Sequence, residues 1–231
     1  MKKVFIAVLF TTCFTGFSSF AQECKMYFPD KVGSVREITN YDKKAKSTGS
    51  VNQEIIARDV SGSATSVTVN SKAFDKDGKE LSVNQMTIKC NNGVFSIDMK
   101  DYIDKSMLEA YKDMEIIING DNLAFPSSLK VGDKLENASV TIVVKNQGMV
   151  LMNWVITISN RIVAAKENIT TTAGTFECFK ITYDTQTKTR IMTINTKAAD
   201  WMSQGIGSVK METYDKNGKM LNYSLLTKLK N

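Results

Sequence analysis

Apolar and polar residues alternate with period two through most of this chain, and that pattern fits only strands with one buried face. Met152, Trp154, Ile156 and Ile158 alternate with Asn153, Val155, Thr157 and Ser159. Met86, Ile88 and Cys90 form a second such face, Val140, Ile142 and Val144 a third, and Phe179, Ile181 and Tyr183 a fourth. Near the C-terminus Leu221, Tyr223, Leu225 and Leu229 are expected to share a face. Clean in/out alternation points to antiparallel sheet, because parallel strands covered on both sides read as continuous apolar runs.

The turns agree. Tyr41-Asp42-Lys43-Lys44-Ala45-Lys46, Phe74-Asp75-Lys76-Asp77-Gly78-Lys79 and Tyr214-Asp215-Lys216-Asn217-Gly218-Lys219 repeat one hairpin signal. The aromatic ends a strand, Asp opens the turn, and Gly in the second and third copies takes the left-handed position. Asp75-Lys76-Asp77-Gly78 resembles the start of a calcium loop but lacks its later ligands, so a hairpin explains it better. One short helix is expected over 106–114, where Ser106-Met107-Leu108-Glu109 fits a capping box and Met107, Tyr111 and Met114 line one face as core. Phe28-Pro29 leading to Val32-Gly33 is echoed by Phe125-Pro126 leading to Val131-Gly132. The echo leaves open two similar halves meeting near 120–126, or merely two similar loops.

The first residues have the three parts of a secretory signal: Lys2 and Lys3, the apolar run from Val4 to Phe10, and Ser19-Phe20-Ala21 before a cleavage point. That run is shorter than the roughly 20 residues of a membrane-spanning helix, and no later run approaches that length. Neither Cys13 nor Cys24 has the neighbours of an acylation site. The expected mature chain begins near Gln22 as one β-rich domain, 22–231, periplasmic or secreted, with no transmembrane segment. Loss of Lys2 and Lys3 leaves 28 basic against 24 acidic residues, a net charge of +4. No Lys/Arg cluster marks a nucleic-acid partner.

There are 0 histidines, which removes Ser-His-Asp and Cys-His nucleophiles and most zinc, copper and iron sites. No metal and no cofactor is expected, and an enzyme would have to run on carboxylates such as Asp98, Glu167, Glu177 and Glu212. Each of these is also what a solvent-facing strand position commonly holds, so a carboxylate-based hydrolase ranks last. After the signal, Cys24, Cys90 and Cys178 remain, an odd count that suggests one bridge and one buried thiol in an oxidising compartment. Cys24 near the mature terminus and Cys90 at an accessible strand end are the expected pair. Cys178, in mid-strand, is the expected free thiol.

Cys24-Lys25-Met26-Tyr27-Phe28-Pro29, the Tyr-Asp-Lys hairpins, Thr172 to Phe179 and the closing stretch from Gly205 to Asp215 together resemble the TapB-like group of exported Gram-negative envelope proteins. The resemblance runs over essentially the whole mature chain. It implies a strongly curved antiparallel sheet, a half-open barrel distantly similar to folds that carry lipoproteins across the periplasm, and it brings no catalytic residues. With the one short helix, the expected fold is mainly β.

Trp154 lies on an alternating face and reads first as core; Trp201, before the Gly205-Ile206-Gly207 turn, could line a cavity mouth or cover a sheet edge. These two are the candidate residues of an apolar pocket. Met149, Met152 and Met192 would suit such a pocket or fill core space. Two functions survive. One is a non-catalytic envelope protein holding an apolar ligand or a lipid-modified partner. The other is an assembly accessory that engages a protein through a sheet edge or concave face. A large apolar cavity lined from both halves would favour the first, and a filled core with an exposed flat edge the second.

Overall fold

A computed structural model of the chain describes residues 25–103, 108 and 111–230. The expected signal (1–21), Cys24, and Ser106, Met107 and Glu109 of the expected helix lie outside the described residues. Alternation becomes strand almost throughout. β1 (Val35–Asp42), β2 (Ser47–Ser61), β3 (Ala64–Asp75), β4 (Glu80–Asn91) and β5 (Val94–Asp98) lead into a 3-10 turn, Met99–Tyr102. β6 (Glu115–Gly120), β7 (Asn122–Pro126), β8 (Lys134–Leu135), β9 (Ala138–Asn146) and β10 (Met149–Thr171) follow. β11 (Gly174–Lys188), β12 (Thr193–Ser203), β13 (Gly207–Asp215) and β14 (Met220–Lys230) complete the chain. Of the expected helix, Leu108 and Tyr111 have 3-10 geometry, and β6 begins at Glu115.

Every strand pairing is antiparallel, in a single sheet ordered β6-β9-β10-β11-β12-β13-β14-β1-β2-β3-β4-β5-β7, with β8 beside β10. β6 and β7 stand at opposite ends of this order, yet one residue, Asp121, joins them. A single residue spans under about 4 Å per Cα step, so the two edges must meet, and the sheet curls into a nearly closed barrel. Asp121 sits on the seam. Its N–H donates to Ser139 O of β9 at 2.8 Å, and its carbonyl accepts from Met99 N beyond β5 at 3.0 Å. Its carboxylate accepts from the N–H and the hydroxyl of Ser139, both at 2.9 Å.

The inward faces are largely those the alternation predicts. Ala138, Val140, Ile142 and Val144 of β9 are buried, as are Val67, Val69, Ile88 and Ile181, and Trp154, Ile156, Ile158, Phe179 and Tyr183 pack against this core. The C-terminal face differs. Leu226 is fully buried while Leu221 is exposed, because a β-bulge shifts the register where Ile38 of β1 meets Leu226 and hands the inward position to the next residue. Residues 26–29 also go inside. Met26, Tyr27 and Phe28 are buried, Met26 O accepts from Gly205 N, and Tyr27 packs edge-on against Phe95 and Phe179 at 6.4 Å.

Beyond Phe179, β11 continues paired with β10 alone, past the end of β12. This two-stranded arm reaches β14, where Thr172 Oγ1 donates to Thr227 O at 2.9 Å. A second, smaller core of Cys178, Ala199, Trp201, Val209 and Leu226 gathers Ile169 and Phe176 of the arm.

The three Asp hairpins share one construction. In each, the Asp N–H donates to the carbonyl of the Lys four residues on, and Asp Oδ1 accepts the backbone N–H groups two and four residues later. These bonds to the ionised form hold all three carboxyls below their ordinary range. Ala45, at φ 61°, occupies the left-handed position that Gly78 and Gly218 fill in the other copies.

Candidate functional site

The barrel encloses a cavity of about 340 Å³ whose walls come from both halves of the chain. Ile38, Met86, Phe95 and Leu123 supply apolar surface from one half, and Ile158, Ile181, Met202 and Met211 from the other. Set into this lining are a few polar groups, chiefly Arg36, Arg161, Gln53, Asp200 and Ser208. Apolar walls with a small number of placed polar groups are the usual make-up of a small-molecule site.

The two arginines are each only 2% exposed and are held by backbone carbonyls. Arg36 donates to Ile206 O at 2.9 Å and to Ser208 O at 2.6 Å, with its guanidinium 5.0 Å from the Phe28 ring centre. Gly207 makes this reach feasible, since a Cβ there would stand 1.9 Å from Arg36 Nη1. Arg161 of β10 donates to Ala124 O of β7 at 3.0 Å and to Glu136 O at 2.6 Å, 4.4 Å from the Phe125 ring centre. It therefore ties β10 to β7 across the barrel seam.

The Phe-Pro echo has a structural counterpart. Gly33 N donates to Ile55 O, and Ile55 N to Ser34 O; Gly132 N donates to Val163 O, and Val163 N to Asp133 O. In each copy the phenylalanine lies under a buried arginine.

Asp200 lines the cavity and accepts a hydrogen bond from Ser208 Oγ. Burial raises its carboxyl from the ordinary 3.8 to about 6, against the opposing pulls of Ser208 and Arg36. A carboxyl whose pKa is higher in the folded state contributes stability in full below its unfolded value, and that contribution is lost as pH rises through about 6. Asp200→Asn should accordingly match the parent near pH 4 and become the more stable form as pH passes 6, measured by urea unfolding across that range. An equal difference at every pH would refute the assignment.

The candidates drawn from sequence are scattered. Trp154 packs against the main core, and Trp201 is buried in the second one; neither lines the cavity. Trp201 lies between Lys210 and Lys180, at 4.6 and 4.7 Å from its ring, and its indole N–H donates to Glu167. The other carboxylates are also engaged separately. Asp98 caps the 3-10 turn, Glu177 pairs with Lys166 at 2.7 Å, and Glu212 takes Lys210 at 2.7 Å and the Tyr214 hydroxyl. Burial opposes ionisation of Glu212, but its bonds to Lys210 and Tyr214 outweigh that and hold the carboxyl below its ordinary value. Among the described residues, no group of three or more potential metal ligands is assembled.

Cys178 is the free, buried thiol; burial, with Asp200, Glu167 and Glu177 adding to it, pushes it up to about 12 and leaves it unreactive. Cys90 is not the accessible strand end expected from sequence. It is fully buried, because its side chain faces the main core alongside Phe95 of the neighbouring strand.

No curated protein matches the chain. Solved structures do, two of them each at 25% identity over 90% of this chain and 100% of their own length. One, from Bacteroides fragilis, is described as a "putative exported protein with YmcC-like fold", with a TM-score of 0.74. The other, from Parabacteroides distasonis, is described as a "putative lipoprotein", with a TM-score of 0.76. No helix among the described residues is long and apolar enough to cross a membrane. The narrower TapB-like name does not come from these matches; what does match, over residues 31–226, is the DUF3108-like family, and the chain belongs to it.

Proposed function

We propose that this is a non-catalytic exported protein of the cell envelope whose barrel interior holds an apolar ligand, either a free amphiphile or the acyl chain of a lipid-modified partner. The cavity carries the reading: it is largely apolar and lined from both halves. The short edges count against an accessory that works through a sheet edge, since β6 and β7 are brief and joined through Asp121. A fluorescent fatty-acid probe should bind saturably, and native mass spectrometry of protein taken from its own envelope should show co-purifying lipid. Filling the cavity with Met86→Trp and Met211→Trp should weaken probe binding about tenfold or more while far-ultraviolet circular dichroism stays unchanged. Unchanged binding in the filled variant would refute the reading.

A disulfide would fit the same picture of an exported chain, and we propose Cys24 as the partner of Cys90. Closing a loop that long contributes about 4 kcal/mol in the chain-entropy account. Non-reducing peptide mapping should recover Cys24 linked to Cys90 and Cys178 free. A Cys90–Cys178 peptide would overturn the assignment.

A further inference from the structure

Successive turns of an antiparallel meander fall at alternate ends, so the β9–β10 and β11–β12 turns share a rim, and the pairing of Val155 with Lys188 makes them neighbours. Hairpin tips ordinarily carry Gly, Asn, Asp and Ser. The β11–β12 turn carries Ile191 and Met192 instead, and Met149, Val150 and Leu151 follow directly on the Gln147-Gly148 turn. Ile191 is 88% exposed, and Met149, Val150, Leu151, Met192 and Ile194 are between 45% and 69% exposed. The exposure is built in. Thr189 N donates to Met192 O at 2.9 Å, and the Thr189 hydroxyl accepts from the N–H groups of Ile191 and Met192, fixing the turn with both side chains outward.

A groove of about 450 Å³ runs between the two turns, with Val150, Leu151 and Val155 on one side and Lys188 and Arg190 on the other. From 146 to 155 and from 188 to 196 there is no acidic residue. The three Asp hairpins of the same rim each set an Asp among their lysines, so the acid-free tip is distinct.

We propose that this tip docks the protein on an anionic phospholipid surface, with Met149, Leu151, Ile191 and Met192 entering the boundary between headgroups and acyl chains and Lys188 and Arg190 meeting the lipid phosphates. An exposed apolar patch of this extent marks an interaction site, and cations flanking it select a negatively charged, apolar-cored partner. A second copy of the chain is the poorer occupant. A two-fold contact would set Lys188 and Arg190 against their own copies. Docking does not depend on the cavity being filled, so it stands or falls separately from the ligand reading.

The test is co-sedimentation of the chain from Gln22, which contains every described residue, with vesicles of phosphatidylcholine alone or mixed with phosphatidylglycerol. Binding to the mixed vesicles, weakening with salt, is expected. Ile191→Asp with Met192→Asp should reduce it about tenfold or more. Lys188→Glu with Arg190→Glu should abolish the preference for the mixed vesicles. Thermal unfolding checks that each variant is folded, and Ile191→Ser replaces the aspartates if they impair folding. Failure of the parent to bind the mixed vesicles overturns the proposal, as does binding that neither pair of substitutions changes. Self-association that Ile191→Asp abolishes, without vesicle binding, would assign the tip to a second copy and overturn it too.

Discussion

Arg161→Met is expected to lower the unfolding free energy by about 3–5 kcal/mol, measured by urea denaturation. Methionine preserves much of the apolar stem but donates nothing. Ala124 O and Glu136 O would lose their donor inside the protein, where an unsatisfied carbonyl costs about 1–3 kcal/mol each. The stacking on Phe125 at 4.4 Å goes as well. The loss is concentrated at the seam, because Arg161 of β10 is bonded to β7, the opposite edge of the sheet. Hydrogen exchange in β6 and β7 should therefore rise more than in β2 or β3. A loss below about 1 kcal/mol, the size of a surface change, would mean the barrel does not need this tie.

Gly49→Ala is the second large effect, an expected loss of about 3–4 kcal/mol or roughly 10 °C in melting temperature. Gly49 lies in β2 at φ +150°, and a Cβ built there would fall 2.3 Å from the carbonyl oxygen of Phe74 in β3. That neighbour is backbone, so relief requires parting two paired strands rather than turning a side chain. Gly78→Ala is the control. It also has a positive φ, +81°, but open space around the new methyl, so only the conformational cost of about 1 kcal/mol applies. Equal effects of the two substitutions would show that backbone conformation, not the close approach, governs both.

Much of the fold is legible as local pattern because its physics is local. A strand with one wet face must alternate, and β9 buries Ala138, Val140, Ile142 and Val144 in unbroken order. The Asp hairpins are legible for the same reason, since each is closed by bonds within five consecutive residues. Where a bulge adds one residue, the pattern misleads: the face of Leu221, Tyr223, Leu225 and Leu229 reads cleanly, yet Leu226 is the buried residue. The cysteines follow the same division. Cys178 in mid-strand is read correctly as the free thiol, while Cys90, read as an accessible strand end, is buried because its side chain faces the main core.

The candidate site was much less legible. Arg36 and Arg161 sit in strands where a charged residue ordinarily faces water, and their burial depends on carbonyls as distant as Ile206 and Glu136. The one faint signal was the Phe-Pro echo, since Phe28 and Phe125 lie under these two arginines. The tryptophans, chosen for size, went to two separate cores and left the cavity to phenylalanine, tyrosine, aliphatic and methionine side chains.

By itself, then, the sequence determined an antiparallel β protein with its turns and most of its inward faces, because alternation and turn chemistry act between residues a few positions apart. Only the tertiary structure decided that Asp121 joins the two ends of the sheet order, that the curled sheet encloses a cavity, and that two arginines line it. Those outcomes depend on contacts between residues far apart in the chain, such as Arg36 and Ser208, 172 positions apart, and such contacts leave no periodic trace along it.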